Sequence, residues 1–230
     1  MIATAMILAA GRGERMRPLT DKVPKPLVSV AGRSLLDRTI DRLKAHGVQN
    51  IVINVHHLGE QIAAHVGGRA RIVHEDRLLE TGGSVKNALS LLGEGPFFVL
   101  NGDGLWQDGP SPMLGRMDQV WDPRRMDALL LLHPLEQAIG REAKDRGDYF
   151  LDRDGHARHR GEASAAPYMF ASVSVCDRRL LDDAPEGPFS LVTLWHRAQA
   201  AGRLCGVVHD GRWFHVGTME ALAQAERVLA

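Results

Sequence analysis

The feature that most constrains this chain is the alternation in its first hundred residues. Short apolar runs recur at Thr4–Ala9, Asn50–Val55, Arg71–His74 and Phe97–Leu100. Between them lie segments whose apolar residues recur at helical spacing. Ser34 can cap a helix in which Leu35, Leu36, Ile40 and Leu43 share a face and Gly47 ends the run. Leu58–Val66 and Thr81–Leu92 read as two further helices. Strands and helices alternating through short loops form βαβ units, which build a parallel sheet covered by helices on both faces. The strands are almost continuously apolar, as burial on two sides requires. The expected fold is a three-layer α/β domain with a mostly parallel, Rossmann-like sheet.

The second half is less regular. Met126–His133 and Tyr168–Val175 read as strands, Phe189–Ala201 as a helix, and Leu204–Val208 with Trp213–Val216 as a final strand pair. Thr218 caps a closing helix to Leu229, and the Met-rich stretch Met113–Met126 packs a helix onto the sheet. The charged, Gly- and Ala-rich stretch Glu136–Ala166 reads as loops with one hairpin. No repeat or linker divides the chain, so residues 1–230 form one domain with halves at about 1–110 and 111–230.

Charge narrows the partners. Lys+Arg and Asp+Glu each total 28, so the chain has no excess charge with which to hold nucleic acid or an anionic membrane non-specifically. Any anionic ligand needs a local site. Cys176 and Cys205 have neither metal-binding spacing nor the numbers for a disulfide framework, and they read as reduced thiols of a cytoplasmic protein. The N-terminal apolar run has no basic residues before it and stops at Gly11, which marks a buried strand rather than a leader peptide. No apolar run has the length of a membrane span.

Such a site is concentrated in LAAGRGERMRPLTDKVPKPL, residues 8–27. It follows the first strand directly. Gly11 and Gly13 let the backbone approach phosphates with its N–H groups as donors. Arg15 adds a planar, permanently charged fork suited to phosphate oxygens. Lys25, stiffened between Pro24 and Pro26, offers a compact charge for a second phosphate. A dinucleotide-binding fingerprint would need a third glycine at Met16, and the chain has no P-loop sequence.

This segment resembles the signature of the sugar-1-phosphate nucleotidyltransferases, G-x-G-x-R-x-x-P followed by P-K, with Gly11, Gly13, Arg15, Pro18, Pro24 and Lys25 in place. LETGGS (Leu79–Ser84), NGD (Asn101–Asp103) and WFHVGT (Trp213–Thr218) extend the resemblance along nearly the whole chain. The resemblance implies a GT-A-like fold without a C-terminal β-helix, and a monomer or weak homodimer. It implies transfer of a nucleotidyl group from a nucleoside triphosphate to a sugar 1-phosphate, releasing pyrophosphate. UTP and N-acetylmuramic acid 1-phosphate are the expected pair, with a role in peptidoglycan recycling. GTP or CTP with another sugar 1-phosphate or phosphocholine remains an alternative.

The roles implied by the resemblance are as follows. Gly11, Arg12 and Gly13 wrap the triphosphate. Arg15 stabilises the leaving pyrophosphate, and Lys25 bridges the reacting phosphates. Glu75, Glu80, Gly83 and Asn101 face the nucleoside. Asp103 holds Mg²⁺. Gly147, Glu162 and Tyr168 fall near the sugar.

Two positions depart from the pattern. His215 stands where the family has an aspartate, and imidazole is a poorer ligand for Mg²⁺ than carboxylate. Direct ligation of Mn²⁺ or another divalent ion, ligation through water, and a chain that senses nucleotide sugars without turnover all stay open. Glu162 is followed by Ala163 where some members carry lysine, which leaves Lys25 as the main phosphate cation.

Overall fold

The computed structural model describes residues 1–229. Strand β1 (Thr4–Leu8) leads into the glycine loop. A short hairpin follows, β2 (Ser29–Val30) and β3 (Arg33–Ser34), then α1 (Leu35–His46) and β4 (Asn50–Val55). Next come α2 (Gly59–Val66), β5 (Arg71–His74), α3 (Glu80–Asn87), α4 (Leu89–Leu92) and β6 (Phe97–Asn101). The second half supplies β7 (Leu105–Gln107), α5 (Met113–Val120), β8 (Ala128–Pro134), β9 (Tyr149–Leu151), β10 (Ala157–His159) and β11 (Tyr168–Cys176). It closes with α6 (Leu191–Ala200), β12 (Leu204–Val208), β13 (Arg212–Phe214) and α7 (Met219–Leu229).

Nine strands make the main sheet, in the order β10-β9-β11-β6-β1-β4-β5, with β8 beside β11 and β12 beside β8. The strands around β1 are parallel, and β11 enters antiparallel to both β6 and β8. The period-two alternation of each strand feeds two cores. Ala5, Ile7, Ile51, Ile53, Phe98 and Leu100 point to one face, where α1, α2 and α5 cover them with Leu36, Ile40, Ile62 and Met117. Met6, Val52, Phe97 and Val99 point to the other, beneath Val85, Leu92, Leu191 and Trp195 of α3, α4 and α6. The result is the expected three-layer α/β fold. Packing, more than propensity, holds these helices. Leu36, Ile40 and Leu43 of α1 are wholly buried, each contributing about 1.5–3 kcal/mol. Ser34 caps α1 as expected, accepting from the Asp37 N–H at 3.0 Å, and Gly47 ends it at φ 97°. Among the described residues no helix is long and apolar enough to cross a membrane.

Two expectations are corrected. The segments Leu204–Val208 and Trp213–Val216 do not pair with each other: β12 lies parallel to β8, while β13 lies antiparallel to β7. The crossover through α6 delivers β12 to the open edge of β8, whereas β7 peels away from the sheet just after Asp103 and takes β13 with it. The helix expected over Thr81–Leu92 is two helices, broken at Ala88.

Register sets the position of the site. Leu8, the last residue of β1, lies opposite Asn54 on one side and Asn101 on the other. Three parallel strands therefore end together, and the loops leaving them converge where open α/β sheets bind ligands.

Candidate active site

A cavity of about 590 Å³ opens at these strand ends. Residues 8–15, Lys25, Asn101, Gly102 and Asp103 line one part of it, and Asn54, Glu75, Glu80, Thr81 and Ser84 another.

The glycine loop is fixed from below. Gly13 sits in the left-handed region at φ 64°, and its carbonyl accepts from the buried Thr20 hydroxyl at 2.8 Å. The backbone carbonyl of Thr20 contacts His57 Nε2 at 2.9 Å. A side chain at Gly13 would stand 2.9 Å from the Thr20 methyl, so glycine satisfies both the torsion and the space. Arg12 and Arg15 project outward and are exposed. Arg15 pairs with Glu142 at 3.1 Å, a contact across 127 residues.

Lys25 begins a tight turn that Pro24 opens, with the Leu27 N–H donating to the Pro24 carbonyl at 2.8 Å. The turn aims Lys25 inward, where its ammonium pairs with the Asp103 carboxylate. Lys25 is only 12% exposed and Asp103 33%, and both line the cavity. Asp103 is placed by Gly102, whose N–H donates to the Leu8 carbonyl at 2.8 Å. A Cβ at Gly102 would lie 2.7 Å from that oxygen. The seam between β1 and β6 closes this tightly only around glycine.

The other part of the cavity is built on a buried network that joins the expected Glu75 to Asn54 and Ser84, two residues not among the expected ones. Asn54 is 2% exposed and accepts from the Ala9 N–H at 2.9 Å. Its amide donates to Glu75 at 2.8 Å and to the Ser84 hydroxyl at 3.0 Å. One side chain thus ties the start of the glycine loop, the segment after β5 and helix α3 together. Glu75 is nearly buried, and its backbone carbonyl contacts His56. Glu80 has φ 57°, unusual for a residue with a side chain, and sits on the rim. Gly83 lies behind the cavity wall, where a Cβ would strike the Gly187 carbonyl.

His215 approaches from the segment after β13. Its ring Nε2 and the Arg15 guanidinium converge over Gly217: a Cβ there would be 3.0 Å from one and 3.1 Å from the other. Burial lowers the pKa of the imidazole, with Asp145 and Asp103 opposing that effect and Arg15 and Lys25 adding to it. The balance favours the neutral imidazole over the charged one. No cluster of three or more His, Cys, Asp or Glu side chains able to hold a metal occurs among the described residues.

The sugar-side residues are not gathered in this cavity. Gly147, at φ 70°, packs against the backbone of Ala166 and Tyr168. Glu162 is exposed, and Tyr168 is half-buried against the α6-side core.

With this geometry established, comparison with known proteins is informative. The nucleotidyl transferase family profile matches residues 4–130. The N-acetylmuramate alpha-1-phosphate uridylyltransferase of Caulobacter vibrioides is 44% identical over 98% of this chain and 96% of its own. The enzyme of the same name from Neisseria meningitidis serogroup B is 35% identical, covering 96% of each. Among solved structures, a putative glucose-1-phosphate thymidylyltransferase from Bacillus anthracis, in complex with a sucrose, superposes with a TM-score of 0.81. It covers 98% of this chain and 95% of its own at 17% identity, which speaks to the fold. Matching over almost its full length, and sharing its architecture with such enzymes, the chain belongs to the nucleotidyl transferase family.

Proposed function

We propose that the chain transfers the uridylyl group of UTP to N-acetylmuramic acid 1-phosphate, yielding the UDP-sugar and pyrophosphate. The observation that carries this reading is the near-complete alignment with two uridylyltransferases of that specificity. The cavity supports it chemically. An oxygen of the sugar phosphate attacks the α-phosphorus as the bond from that phosphorus to the bridging oxygen breaks, and pyrophosphate leaves. The nucleophile is already an anion, so no protein base is required. The protein's task is to align two anions and offset the charge that grows between them.

The backbone of Gly11–Gly13 and the side chain of Arg12 cradle the triphosphate, and Arg15 takes charge on the departing pyrophosphate. Lys25 stands between the reacting phosphates. Binding requires exchange of partners, since Arg15 must leave Glu142 and Lys25 must share its charge beyond Asp103. Glu75, Glu80, Gly83 and Asn101 shape the nucleoside pocket, with Asn54 and Ser84 bracing it from behind.

The donor set suits a divalent ion carried on the substrate. Mg²⁺ commonly takes one or two protein ligands and completes its shell with phosphate oxygens and water. Asp103, with neutral His215 as the second candidate, would hold Mg²⁺, or Mn²⁺ given the imidazole. When bound, the ion neutralises phosphate charge. Gly147, Glu162 and Tyr168 are assigned to the sugar side, beyond the residues that line the cavity. The reaction serves reuse of cell-wall peptidoglycan in the cytoplasm by a monomer or weak homodimer.

Pyrophosphate release tests the reading, with each of the four triphosphates paired with a panel of sugar 1-phosphates and phosphocholine in Mg²⁺ or Mn²⁺. Release confined to UTP with N-acetylmuramic acid 1-phosphate is expected. Release with GTP or CTP would reassign the donor. Nucleotide binding without release on any pair would favour a sensor.

A further inference from the structure

The segment from Gly140 to Gly147 forms a strap beside the cavity. Both glycines lie in the left-handed region, at φ 83° and 70°. Each is wedged against other backbone: a Cβ on Gly140 would meet the His215 carbonyl at 2.9 Å, and one on Gly147 would strike the Ala166 carbonyl. The start of the strap is tied to the segment that carries His215. The His215 N–H donates to the Ile139 carbonyl at 2.7 Å, and the Ile139 N–H donates to the Trp213 carbonyl at 3.1 Å. Within the strap, the Glu142 N–H donates to the Asp145 carboxylate at 2.7 Å, and the Asp145 N–H returns to the Glu142 carbonyl at 3.0 Å. These two bonds close a tight turn with Glu142 at its start.

Two cations share the Glu142 carboxylate, one on each oxygen. Oε1 lies 3.1 Å from Arg15 Nη1, and Oε2 lies 2.9 Å from Lys144 Nζ. Arg15 comes from the glycine loop and lines the cavity, whereas Lys144 comes from the strap. Together they hold the Glu142 carboxyl below the usual carboxylate range, Lys144 with the larger effect. A guanidinium and an ammonium converging on one anionic group is also how a terminal phosphate is held. Arg15 and Lys144 are exposed, and ion pairs this exposed are weak and exchange readily.

We infer that Lys144 is a further phosphate-binding residue of the reaction, and that the Glu142 carboxylate holds the place that a terminal phosphate of the triphosphate, and then of the pyrophosphate, takes between Arg15 and Lys144. The inference rests on the transferase reading above and deepens it. A terminal phosphate carries more charge than a carboxylate and offers three oxygens, so it displaces Glu142 from both cations at once. Until then Glu142 screens two like charges that would otherwise repel each other. Lys144 belongs to the second half of the chain and Arg15 to the first. Charge on the leaving group is thus met from both halves.

Calorimetric titration of the whole chain with inorganic pyrophosphate, at fixed salt, tests this without turnover. K144A should weaken pyrophosphate binding about tenfold, the lower end for a hydrogen bond to a charged group, and K144R should recover most of it. Lys44, exposed on α1, is the control for loss of one positive charge, and K44A should stay within about twofold of wild type. E142Q should tighten binding about two- to fivefold, the range of an exposed ion pair. Combining the two separates direct contact from an effect passed through Glu142: K144A should still cost about tenfold in the E142Q background. In the pyrophosphate-release assay K144A should raise the KM for UTP while the KM for the sugar 1-phosphate stays within about twofold. Unchanged pyrophosphate affinity in K144A would overturn the inference, as would a loss that vanishes in the E142Q background or an E142Q protein that binds no tighter than wild type. Should the wild type release no pyrophosphate with any substrate pair, the transferase reading falls, and the same titrations still decide the role of Lys144. A loss confined to K144A supports it, and a wild type that does not bind pyrophosphate overturns it.

Discussion

Asn54 is the residue whose loss should be felt both in folding and in binding. Asn54→Ala removes three hydrogen bonds made by a side chain that is 2% exposed. The Ala9 N–H loses its acceptor, at a cost of about 1 kcal/mol. Glu75, 6% exposed, loses a donor to a carboxylate, at a cost of about 2 kcal/mol. The Ser84 hydroxyl can rotate toward a helix carbonyl and costs less. A water entering the void can recover part, which leaves about 3 kcal/mol of destabilisation. For a chain of this size that lowers the melting temperature by about 6–12 °C. The same network positions the start of the glycine loop and α3, so the KM for the nucleotide should rise along with the loss of stability. Thermal melting by circular dichroism and steady-state pyrophosphate release read the two effects separately. Ser84→Ala serves as the mild control, expected within about 1 kcal/mol of wild type. An Asn54→Ala protein that melts within about 2 °C of wild type, with an unchanged nucleotide KM, would refute the argument that this amide is the brace of the site.

Other perturbations have defined outcomes. Lys25→Ala should lower turnover about 10²–10³-fold, as loss of one aligned charge at a transition state does, while the melting temperature barely moves because the partly exposed Asp103 can be hydrated. Near-normal pyrophosphate release would remove Lys25 from the mechanism. His215→Asp should shift the metal-activity profile toward Mg²⁺, and an unchanged ratio of Mg²⁺ to Mn²⁺ activity would count against direct ligation. Asp37 supplies a test by pH. Burial opposes its charged form, but hydrogen bonds from Ser34, Arg69 and His65 outweigh that and hold its pKa down at about 2. A carboxyl whose pKa is depressed by folding stabilises the fold above its unfolded value near 4 and loses that contribution as pH falls toward 2. The stability gap between wild type and Asp37→Asn should therefore be open at neutral pH and shrink across that window, as urea melts would show.

The strands and caps were legible because each is a local pattern. An apolar run between turn residues, or Ser34 and Gly47 bracketing a helix, needs no distant partner to be read. The glycine loop and Lys25 were legible for a similar reason: the chemistry of phosphate binding restricts residue types at short spacing, whereas Asp103 was reached only through the resemblance of NGD to a family motif. Asn54 was not, because within NIVINV it is indistinguishable from any polar residue on a strand. Its meaning comes from Glu75 and Ser84, which reach it only when three loops converge. The pairing of β13 with β7 was hidden likewise, since register between segments a hundred residues apart is decided by which edges the rest of the sheet leaves open. The sugar side was the least legible. Gly147, Glu162 and Tyr168 were placed by a loose stretch of resemblance.

The insertion of β11 between β6 and β8 has a consequence for how the chain is made. Strands β1, β4, β5 and β6 and their helices are complete once residue 101 has been synthesised, and they can pair among themselves. The outer edge of β6 then waits for a strand that ends at Cys176, some 75 residues later. During that interval the half-finished sheet presents Phe97–Asn101, apolar and with its backbone donors and acceptors unsatisfied, to any other extended segment nearby. Slowing synthesis across this stretch would lengthen the exposure, and aggregation during expression should rise with it while the finished protein stays unaffected.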